Sequence, residues 1–312
     1  MIRIEGLTKE YAGKAVVRDV TMAIESGTVT VIVGTSGSGK STFLRMVNRL
    51  VEPTAGTVEI DGVDTRRMKA HELRRRIGYA IQDHGLFPHW TVARNIATVP
   101  RLLGWPRARI AARVRELLEL LQLDPDEIAP RYPHQLSGGQ QQRVGVARAL
   151  AARPDMLLMD EPFGALDPVI RAKAQDDLKA IQERLGSTIL LVTHDMSEAI
   201  KLGDRIAVMS EGRVEQFAPP ADILTRPASA VVESLVGEED RPFRYLSLLP
   251  IAPLVEPGTA EGPPIGTGHS LRDALAEMIW SGRQALPVVD DEGAACGRVT
   301  RGALLSAGRP PR

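Results

Sequence analysis

The sequence of 312 residues is poor in several features, and each shortage excludes a class of protein. Its single cysteine, Cys296, excludes an internal disulfide and a metal site built from several cysteines. Aromatic residues make up 4%, so we expect an aliphatic core. Lys and Arg together number 39, as do Asp and Glu, so the formal net charge is zero. Because a general nucleic-acid binder needs a basic face, this balance argues against one.

Long hydrophobic runs are also missing. A helix that crosses a bilayer needs about 18 or more consecutive apolar residues. The nearest candidate, residues 146–159, is interrupted by Arg148, Arg153 and Asp155. The first residues show no apolar run behind a basic start, so we expect no secretory signal. Any role at a membrane is therefore predicted to be peripheral.

Apolar runs alternate with amphipathic segments over the first three quarters of the chain. A short β-branched run at 29–33 and apolar runs at 156–159 and 189–192 are typical of strands covered on both faces. Apolar residues at helical spacing predict helices at 107–121 and 140–152. This alternation predicts an α/β domain with a mostly parallel sheet. A smaller antiparallel element in front of it is indicated by Ile2, Ile4, Val16, Val20 and Ile24.

A glycine-rich segment directly follows the first of these runs and leads into a predicted helix. Its pattern, G-x-x-x-x-G-K-[ST], is that of a phosphate-binding loop between a strand and a helix. Glycines let consecutive backbone N–H groups face one anion, and the helix start adds positive dipole there. Lys40 is expected to reach the β- and γ-phosphates, Ser41 to hold Mg²⁺, and Thr42 to bond near the α-phosphate. The segment comprises Gly34, Thr35, Ser36, Gly37, Ser38, Gly39, Lys40, Ser41 and Thr42.

Two carboxylates follow the apolar run at 156–159. Successive side chains of a strand point in opposite directions, so Asp160 and Glu161 are predicted to have different roles. Asp160 suits a Mg²⁺ ligand, directly or through water, as the Asp at a strand end does in phosphate-loop NTPases. Glu161 suits a general base that polarises the attacking water.

A second helix start of the anion-binding type lies far along the chain from the first. Ser137 is followed there by Gly138 and Gly139, and a hydroxyl with two glycines at a helix start forms a site for an anion. One nucleotide need not reach both helix starts within one chain. Two chains arranged head to tail would place the Ser137 loop of one over the phosphate loop of the other. A plain helix cap is the alternative interpretation of Ser137.

With these motifs, Leu-Ser-Gly-Gly-Gln at 136–140 resembles the signature of the nucleotide-binding subunit of ATP-binding cassette (ABC) transporters. Further motifs follow in the family's order. Gln82 resembles the Q-loop glutamine, Asp167 resembles the D-loop aspartate, and His194 resembles the switch histidine. Tyr11 stands where the family has the aromatic residue that stacks on adenine.

The resemblance covers residues 1 to about 235 and implies that two nucleotide-binding subunits, identical or paired, sandwich two ATP molecules. Ser137 and Gly139 would come from the partner subunit, and Asp167 would link the two sites. Closure of the dimer would push two transmembrane permease subunits, to which a separate extracytoplasmic solute-binding protein delivers the cargo. The subunit would then lie at the cytoplasmic face of the plasma membrane.

The resemblance also implies roles at the nucleotide. Lys40, Glu161 and His194 would be the catalytic residues, with His194 in contact with the γ-phosphate. The metal ion would be held by Ser41, Gln82 and Asp160.

Aromatic residues beside Pro88 lie in a predicted loop after Gln82. Exposed aromatics such as Phe87 and Trp90 indicate a groove that receives a partner helix. The resemblance implies that this helix is the coupling helix of the permease. The alternative is that these side chains close the boundary between the sheet and the helical subdomain.

Three segments, 85–89, 95–100 and 161–167, are similar to importers of the osmoprotectant class, which take up glycine betaine, choline or related quaternary amines. The third segment also occurs in other importers, so a different small solute, such as an amino acid, stays open as the cargo. A soluble ABC ATPase acting in DNA repair or translation is the remaining alternative. Proteins of that kind usually carry coiled-coil insertions or a second cassette, and this sequence shows neither.

The composition shifts towards Pro and Gly after the first 240 residues or so. Beyond that stretch, Ser270 and Asp273 predict a capping box at a helix start, and 285–289 reads as a strand. This end resembles a single cystathionine-β-synthase (CBS) motif, where the family norm is a pair. The predicted organisation is an α/β P-loop NTPase domain at 1–237 with a helical subdomain at about 84–150, a linker at 238–268, and a small α+β CBS-like tail at 269–312.

Overall fold

A computed structural model describes residues 1–81, 85–164 and 166–309. The chain divides into two compact units, Met1–Phe217 and Ala218–Arg312. Strands and helices are numbered below in chain order.

The first unit begins with a four-stranded sheet in the order β2-β1-β4-β5, in which the paired strands run antiparallel. Side chains along β1 and β2 alternate between the core and solvent, as expected for a sheet with one covered face. The antiparallel element predicted at the start of the chain is confirmed. Its strands are β1 (Ile2–Tyr11), β2 (Lys14–Ile24), β4 (Ala55–Ile60) and β5 (Val63–Asp64).

The second sheet of this unit has six strands in the order β10-β9-β3-β8-β7-β6. Strand β3 pairs in parallel with β8 and β9, and β7 pairs in parallel with β6 and β8. Every residue of β3, β7 and β8 is buried, because the layers on both faces cover them. The mostly parallel sheet is therefore confirmed. Its strands are β3 (Val29–Val33), β6 (Ile77–Ala80), β7 (Met156–Asp160), β8 (Thr188–Thr193), β9 (Arg205–Ser210) and β10 (Arg213–Ala218).

Helices of the first unit include the two long ones predicted from periodicity. The helix predicted at 140–152 begins slightly earlier, because the Ser137 hydroxyl caps it by accepting from the N–H of Gln140. The helices are α1 (Lys40–Val47), α2 (Ala70–Arg76), α3 (Val92–Ile96), α4 (Thr98–Leu102), α5 (Arg107–Leu120), α6 (Pro125–Ile128), α7 (Gly138–Leu150), α8 (Pro168–Leu185) and α9 (Met196–Leu202).

Both sheets and helix α1 share one aliphatic core. Phe43 and Leu44 of α1 are fully buried in it, together with Ile4 of the antiparallel sheet and Leu190 of the parallel sheet. This packing fixes α1 against the sheet directly behind the loop that precedes it. The position of that loop is therefore set by the core on both sides.

The second unit has a small sheet, in the order β11-β12-β13, with helices around it. Strands β12 and β13 run antiparallel, and Trp280 near the end of α13 is 91% exposed. Its elements are α10 (Pro220–Thr225), α11 (Ala230–Val236), α12 (Arg241–Leu248), β11 (Ile265–Gly266), α13 (Leu271–Ser281), β12 (Ala285–Val289), β13 (Ala295–Thr300) and α14 (Arg301–Ala307).

The tail predictions have mixed outcomes. The capping box of Ser270 and Asp273 is present, and the strand predicted at 285–289 is β12. The stretch predicted as a linker, 238–268, instead contains α12 and buries Leu246, Ile251 and Ile265 in the core of this unit. Two of its prolines are compatible with that core, because Pro242 lies in the first turn of α12 and Pro253 in the first turn of a short 3-10 helix. Among the described residues, no helix is long and apolar enough to span a bilayer.

Candidate active site

Three neighbouring parallel strands end at the same edge of the central sheet. Since β7, β8 and β3 lie side by side, the residues that follow them meet there. Gly34 follows β3, Glu161 follows β7 and His194 follows β8. The topology therefore brings together the phosphate loop, the acidic pair and the predicted switch histidine.

The glycines of the phosphate loop are required by space and by backbone conformation. A Cβ on Gly34 would lie 2.0 Å from the carbonyl oxygen of Met209. Gly39 has a φ of +99°, and a Cβ there would lie 2.4 Å from the carbonyl oxygen of Val16. Only glycine fits these two positions without moving the main chain.

Lys40 is buried beneath this loop. Its Nζ donates hydrogen bonds to the carbonyl oxygens of Gly34 at 2.7 Å and Thr35 at 2.9 Å. Burial lowers the pKa of the Lys40 ammonium, while the carboxylates of Glu161 and Asp160 oppose this effect. The positive charge of Lys40 is thus held inside the phosphate loop.

The other loop residues differ in their exposure. Thr35, Ser36 and Gly37 are exposed at the tip, and Ser38 is buried. Ser41 and Thr42, in the first turn of α1, are half-buried.

Ser41 and Asp160 form a direct pair. The Ser41 hydroxyl donates to Oδ1 of Asp160 at 2.9 Å, and the Asp160 side chain is almost fully buried. Burial raises the pKa of the Asp160 carboxyl, against the hydrogen bond from Ser41 and the positive charges of Arg45 and Lys40. A buried carboxylate beside a hydroxyl offers the hard oxygen ligands that Mg²⁺ prefers.

Glu161 faces a different neighbour from Asp160. Its Oε2 lies 3.2 Å from Nδ1 of His194, and its backbone N–H donates to the carbonyl oxygen of Val192. Glu161 has a φ of +46°, a conformation that costs a non-glycine residue about 1–3 kcal/mol. The strained main chain turns the two adjacent carboxylates towards different groups.

Three predicted site residues cap or pack helices within the chain. Ser137 caps α7, and Asp167 caps α8 by accepting from the N–H groups of Val169 and Ile170. A Cβ on Gly139 would lie 2.7 Å from Cγ2 of Ile170. Within the described part of the chain, no hydrogen bond or ion pair joins these three residues to the phosphate loop.

The remaining predicted residues lie outside this cluster. Tyr11 ends β1 with 47% of its surface exposed, and Nζ of Lys9 lies 5.0 Å from the centre of its ring. Gln82 falls outside the described residues.

An aromatic turn follows the predicted Q-loop. The rings of Phe87 and Trp90 lie 4.4 Å apart, and the guanidinium of Arg94 sits over the Trp90 ring at 4.2 Å. Fully buried Asn95 accepts from the N–H of Phe87, and its Nδ2 donates to the carbonyl oxygens of Phe87, Trp90 and Thr91. Asn95 was not predicted from the sequence to support this turn. One signal in the sequence could have indicated it. Asn95 is a polar residue at an apolar position of a helix, and that helix directly follows the aromatic turn.

Beside this turn lies a cavity of about 1080 Å³, built from helices α3 to α6. Its walls include the alanine, isoleucine and valine side chains of these helices together with Trp105. Four arginines and one carboxylate also line it, namely Arg94, Arg101, Arg107, Arg115 and Asp126.

Comparison with known proteins identifies the family. Residues 17–164 match the family described as ABC transporter. The chain is 49% identical to the glycine betaine uptake system ATP-binding protein YehX of Escherichia coli, over 95% of this chain and 96% of that protein. It is 44% identical to the osmoprotectant import ATP-binding protein OsmV of Salmonella typhimurium, over 96% of this chain and 79% of that protein.

A solved structure resembles it as well. The dimeric post-hydrolysis state of the ATP-binding cassette MJ0796, bound to ADP and Pi, superposes with a TM-score of 0.64. The two are 35% identical, and the match covers 70% of this chain and 99% of that one. The match in sequence and in fold, together with the phosphate loop and the acidic strand end beside it, gives the family: the chain belongs to the ABC transporters, as an ATP-binding protein.

Proposed function

We propose that this chain hydrolyses ATP to drive an importer for osmoprotectants of the glycine betaine and choline type. The observation that carries the proposal is the meeting of Lys40, Asp160, Glu161 and His194 at one edge of the central sheet. The cargo is proposed from the relatives, since YehX is named for glycine betaine uptake and OsmV for osmoprotectant import.

Magnesium fits the pair of Ser41 and Asp160. The two side chains already share a hydrogen bond of 2.9 Å, and burial disfavours the charge of Asp160. A divalent cation would stabilise that charge, and when bound it would offset the negative charge of the phosphates. We therefore propose Ser41 and Asp160 as metal ligands. Gln82 stays a proposal from the motif alone.

The chain's own groups suit the remaining tasks of hydrolysis. Lys40 would neutralise the β- and γ-phosphates, and Glu161 would accept the proton of the attacking water. The contact of 3.2 Å between Glu161 and His194 lets the imidazole orient this carboxylate and reach the γ-phosphate. Tyr11 is proposed to stack on the adenine, because 47% of its surface is exposed.

A dimer would complete the site. Ser137 and Gly138 are exposed at the start of α7, and a Cβ at Gly138 would meet nothing within 4 Å. The phosphate of a nucleotide held by a second copy would therefore have free access to the N-terminus of α7. We propose that Ser137, Gly139 and Asp167 act across this interface. The relative MJ0796 is described as dimeric.

Docking to permease subunits is proposed at the aromatic turn and the cavity beside it. Asn95 holds the turn in one conformation, so Phe87 and Trp90 are presented on a rigid support. Arginines outnumber carboxylates on the cavity walls, which favours an amphipathic partner helix with acidic side chains. A subunit attached in this way would lie on the cytoplasmic face of the membrane, and a separate solute-binding protein would bring the cargo.

The catalytic proposal is tested by Glu161→Gln. We expect ATP turnover to fall by about 100-fold or more, because a general base contributes that much, while ATP binding persists and the dimer accumulates. The matched control is Glu211→Gln, the same change at an exposed residue with the same φ of +46°. Retained hydrolysis in Glu161→Gln would sink the assignment of the base.

Transport assays test the cargo. Uptake of labelled glycine betaine, choline and proline is measured in cells with and without this subunit. Loss of betaine and choline uptake supports the proposal. Loss of proline uptake alone favours an amino acid importer, the second candidate that the sequence leaves open.

A further inference from the structure

A cluster of buried polar side chains lies directly behind His194, where β8 ends and α8 and α9 meet. Its members are Thr193, Gln175 and Glu198, which are 2%, 6% and 5% exposed. None of them contacts the phosphate loop by a hydrogen bond or ion pair within the described part of the chain. The proposed chemistry therefore leaves this cluster without a role.

Glu198 holds Thr193 directly and Asp195 through the Thr193 hydroxyl, so that both residues beside His194 are connected to it. The Thr193 hydroxyl donates to Oε2 of Glu198 at 2.6 Å and accepts from the backbone N–H of Asp195 at 3.0 Å. Gln175 of α8 donates to the other carboxylate oxygen of Glu198 at 3.3 Å. The main chain at His194 is thus tied to one carboxylate from both sides.

Arg171 extends this cluster to the segment that carries Asp167. Its Nη2 donates to the carbonyl oxygen of Leu166 at 3.1 Å. The same guanidinium lies 3.8 Å from the Asp195 carboxylate and 3.9 Å from the Glu198 carboxylate. Its buried Nε has no hydrogen-bond partner among the described residues, and it faces Glu198. One side chain therefore bridges the loop before α8 and the two acids around His194.

A carboxylate at this depth carries an energetic cost. Burial raises the pKa of the Glu198 carboxyl, and the nearby charge of Asp195 raises it further, while Thr193, Arg171 and Gln175 oppose the shift. Apolar side chains of similar size fill such positions without this desolvation cost. The carboxylate of Glu198 bonds to the segment around His194. In the proposed ATPase, these bonds explain why a carboxylate stands here despite its desolvation cost.

We propose that Glu198 is a positioning residue for ATP hydrolysis. Through Thr193 it fixes the main chain on both sides of His194, and through Arg171 it couples that segment to the loop carrying Asp167. A movement of Asp167 at a dimer interface would then be transmitted to His194. This inference rests on the proposed hydrolytic function.

The test compares four variants of the full chain in steady-state ATP hydrolysis, with thermal unfolding measured in parallel. Thr193→Val replaces the hydroxyl with a methyl group. Glu198→Gln removes the charge and replaces one of the two acceptor oxygens with an NH2 donor. Thr193→Ser keeps the hydroxyl. Lys201→Met is the matched control, because it breaks a different contact between the same two helices, the Lys201–Asp176 ion pair of 2.7 Å.

We expect Thr193→Val and Glu198→Gln to lower kcat by about tenfold or more, because the imidazole loses its orientation. The KM for ATP should change by no more than about twofold, since the phosphate loop is untouched. Thr193→Ser and Lys201→Met should keep the kcat of the parent.

Two results would overturn the inference. One is a parental kcat in Thr193→Val or Glu198→Gln; the other is an equal loss in Lys201→Met, which would assign the effect to helix packing. Either result, with Glu161→Gln inactive, leaves the proposed hydrolytic function intact. A parent chain without ATP hydrolysis would overturn both.

Discussion

Asp160 is the residue at which stability and the proposed function conflict. Its carboxylate is almost fully buried and accepts one hydrogen bond from Ser41, while burial raises its pKa. In the folded chain the ionised form is therefore less stable than in water. A residue with this property is retained for what it binds rather than for what it adds to the fold.

Asp160→Asn should stabilise the chain in the absence of magnesium. The fold holds the proton of Asp160 more tightly than the unfolded chain does, so the parent loses stability as pH rises from the ordinary carboxylate range through the raised pKa. Asparagine does not ionise, so the advantage of the variant should grow over this interval and level off above it. Urea unfolding in EDTA across this pH range measures the difference.

The exposed Asp291→Asn is the control for this experiment, and we expect it to change the free energy of unfolding little at any pH. An advantage of Asp160→Asn that shrinks as pH rises would contradict the argument. The variant should also lose magnesium-dependent ATP hydrolysis, since the proposed ligand charge is gone.

Individual site residues could be predicted from the sequence where the spacing of a motif determines their chemistry. The pattern from Gly34 to Thr42 identified the phosphate loop, since its glycines and lysine act through the main chain and one charge. The φ of +46° at Glu161 could not be foreseen, because that conformation is imposed by the turn between β7 and the following loop. Thr193 and Glu198 escaped notice for a similar reason, since only the fold brings them together.

Asn95 shows how one side chain can shape a whole element. Its amide lies within hydrogen-bonding distance of four main-chain groups of the aromatic turn, from a fully buried position. A turn without regular structure is therefore as firmly held as a helix end. The proposed docking surface depends on this support, because Phe87 and Trp90 are half-exposed and cannot anchor themselves in the core.

Asn95→Ala should free this turn. We expect a loss of about 2 kcal/mol in the free energy of unfolding, because the N–H of Phe87 and the carbonyl oxygen of Trp90 lose the side-chain amide that bonds them. Solute uptake should fall further than ATP hydrolysis of the isolated chain, since the site residues are untouched while the docking surface is disordered. Uptake and hydrolysis are measured on the same variant.

Leu7→Ala serves as its control, because Leu7 is fully buried in the antiparallel sheet and its truncation costs about 2–5 kcal/mol without touching the turn. Equal losses of uptake in the two variants would assign the effect to stability alone.

The observed bounds of strands and helices agreed with the predicted ones where one pattern in the sequence was clear. Strand β3 and helix α5 appeared almost at their predicted bounds. A run of β-branched residues marks the strand, and apolar residues at helical spacing mark the helix. The start of α7 depended on a single cap, Ser137, and was placed too late. Proline-rich composition misled at 241–248, where Pro242 begins a helix instead of breaking one.

At the scale of the whole molecule, the candidate site and the tail belong to different compact units. The candidate site residues that the structure describes all lie in the unit Met1–Phe217. The second unit has its own aliphatic core, to which Leu271, Leu286 and Leu304 contribute. The motifs of the first unit are specific and identified its chemistry, but the predicted domain end at 237 lies beyond the end of this unit at Phe217. A single CBS-like motif is too short a pattern to define a ligand, so the role of the tail stays a prediction.

Removing the second unit, residues 218–312, should spare ATP hydrolysis, since the candidate site residues that the structure describes lie in the unit Met1–Phe217. Uptake by cells carrying the shortened chain is compared with the parent over a range of ionic strengths. Because the resemblance of the tail to a CBS motif implies a sensor of ionic strength, we expect the salt response of uptake to change in the shortened chain. An identical salt dependence in the two chains would exclude the tail as the sensor.

The positions of the three tryptophans allow intrinsic fluorescence to probe the proposed docking surface. Trp90 and Trp105 lie at the aromatic turn and the cavity, while Trp280 stands 91% exposed on the tail. With Trp280→Phe, all indole emission would arise beside the proposed docking surface. Quenching by acrylamide would then follow occupancy of that surface without any attached dye.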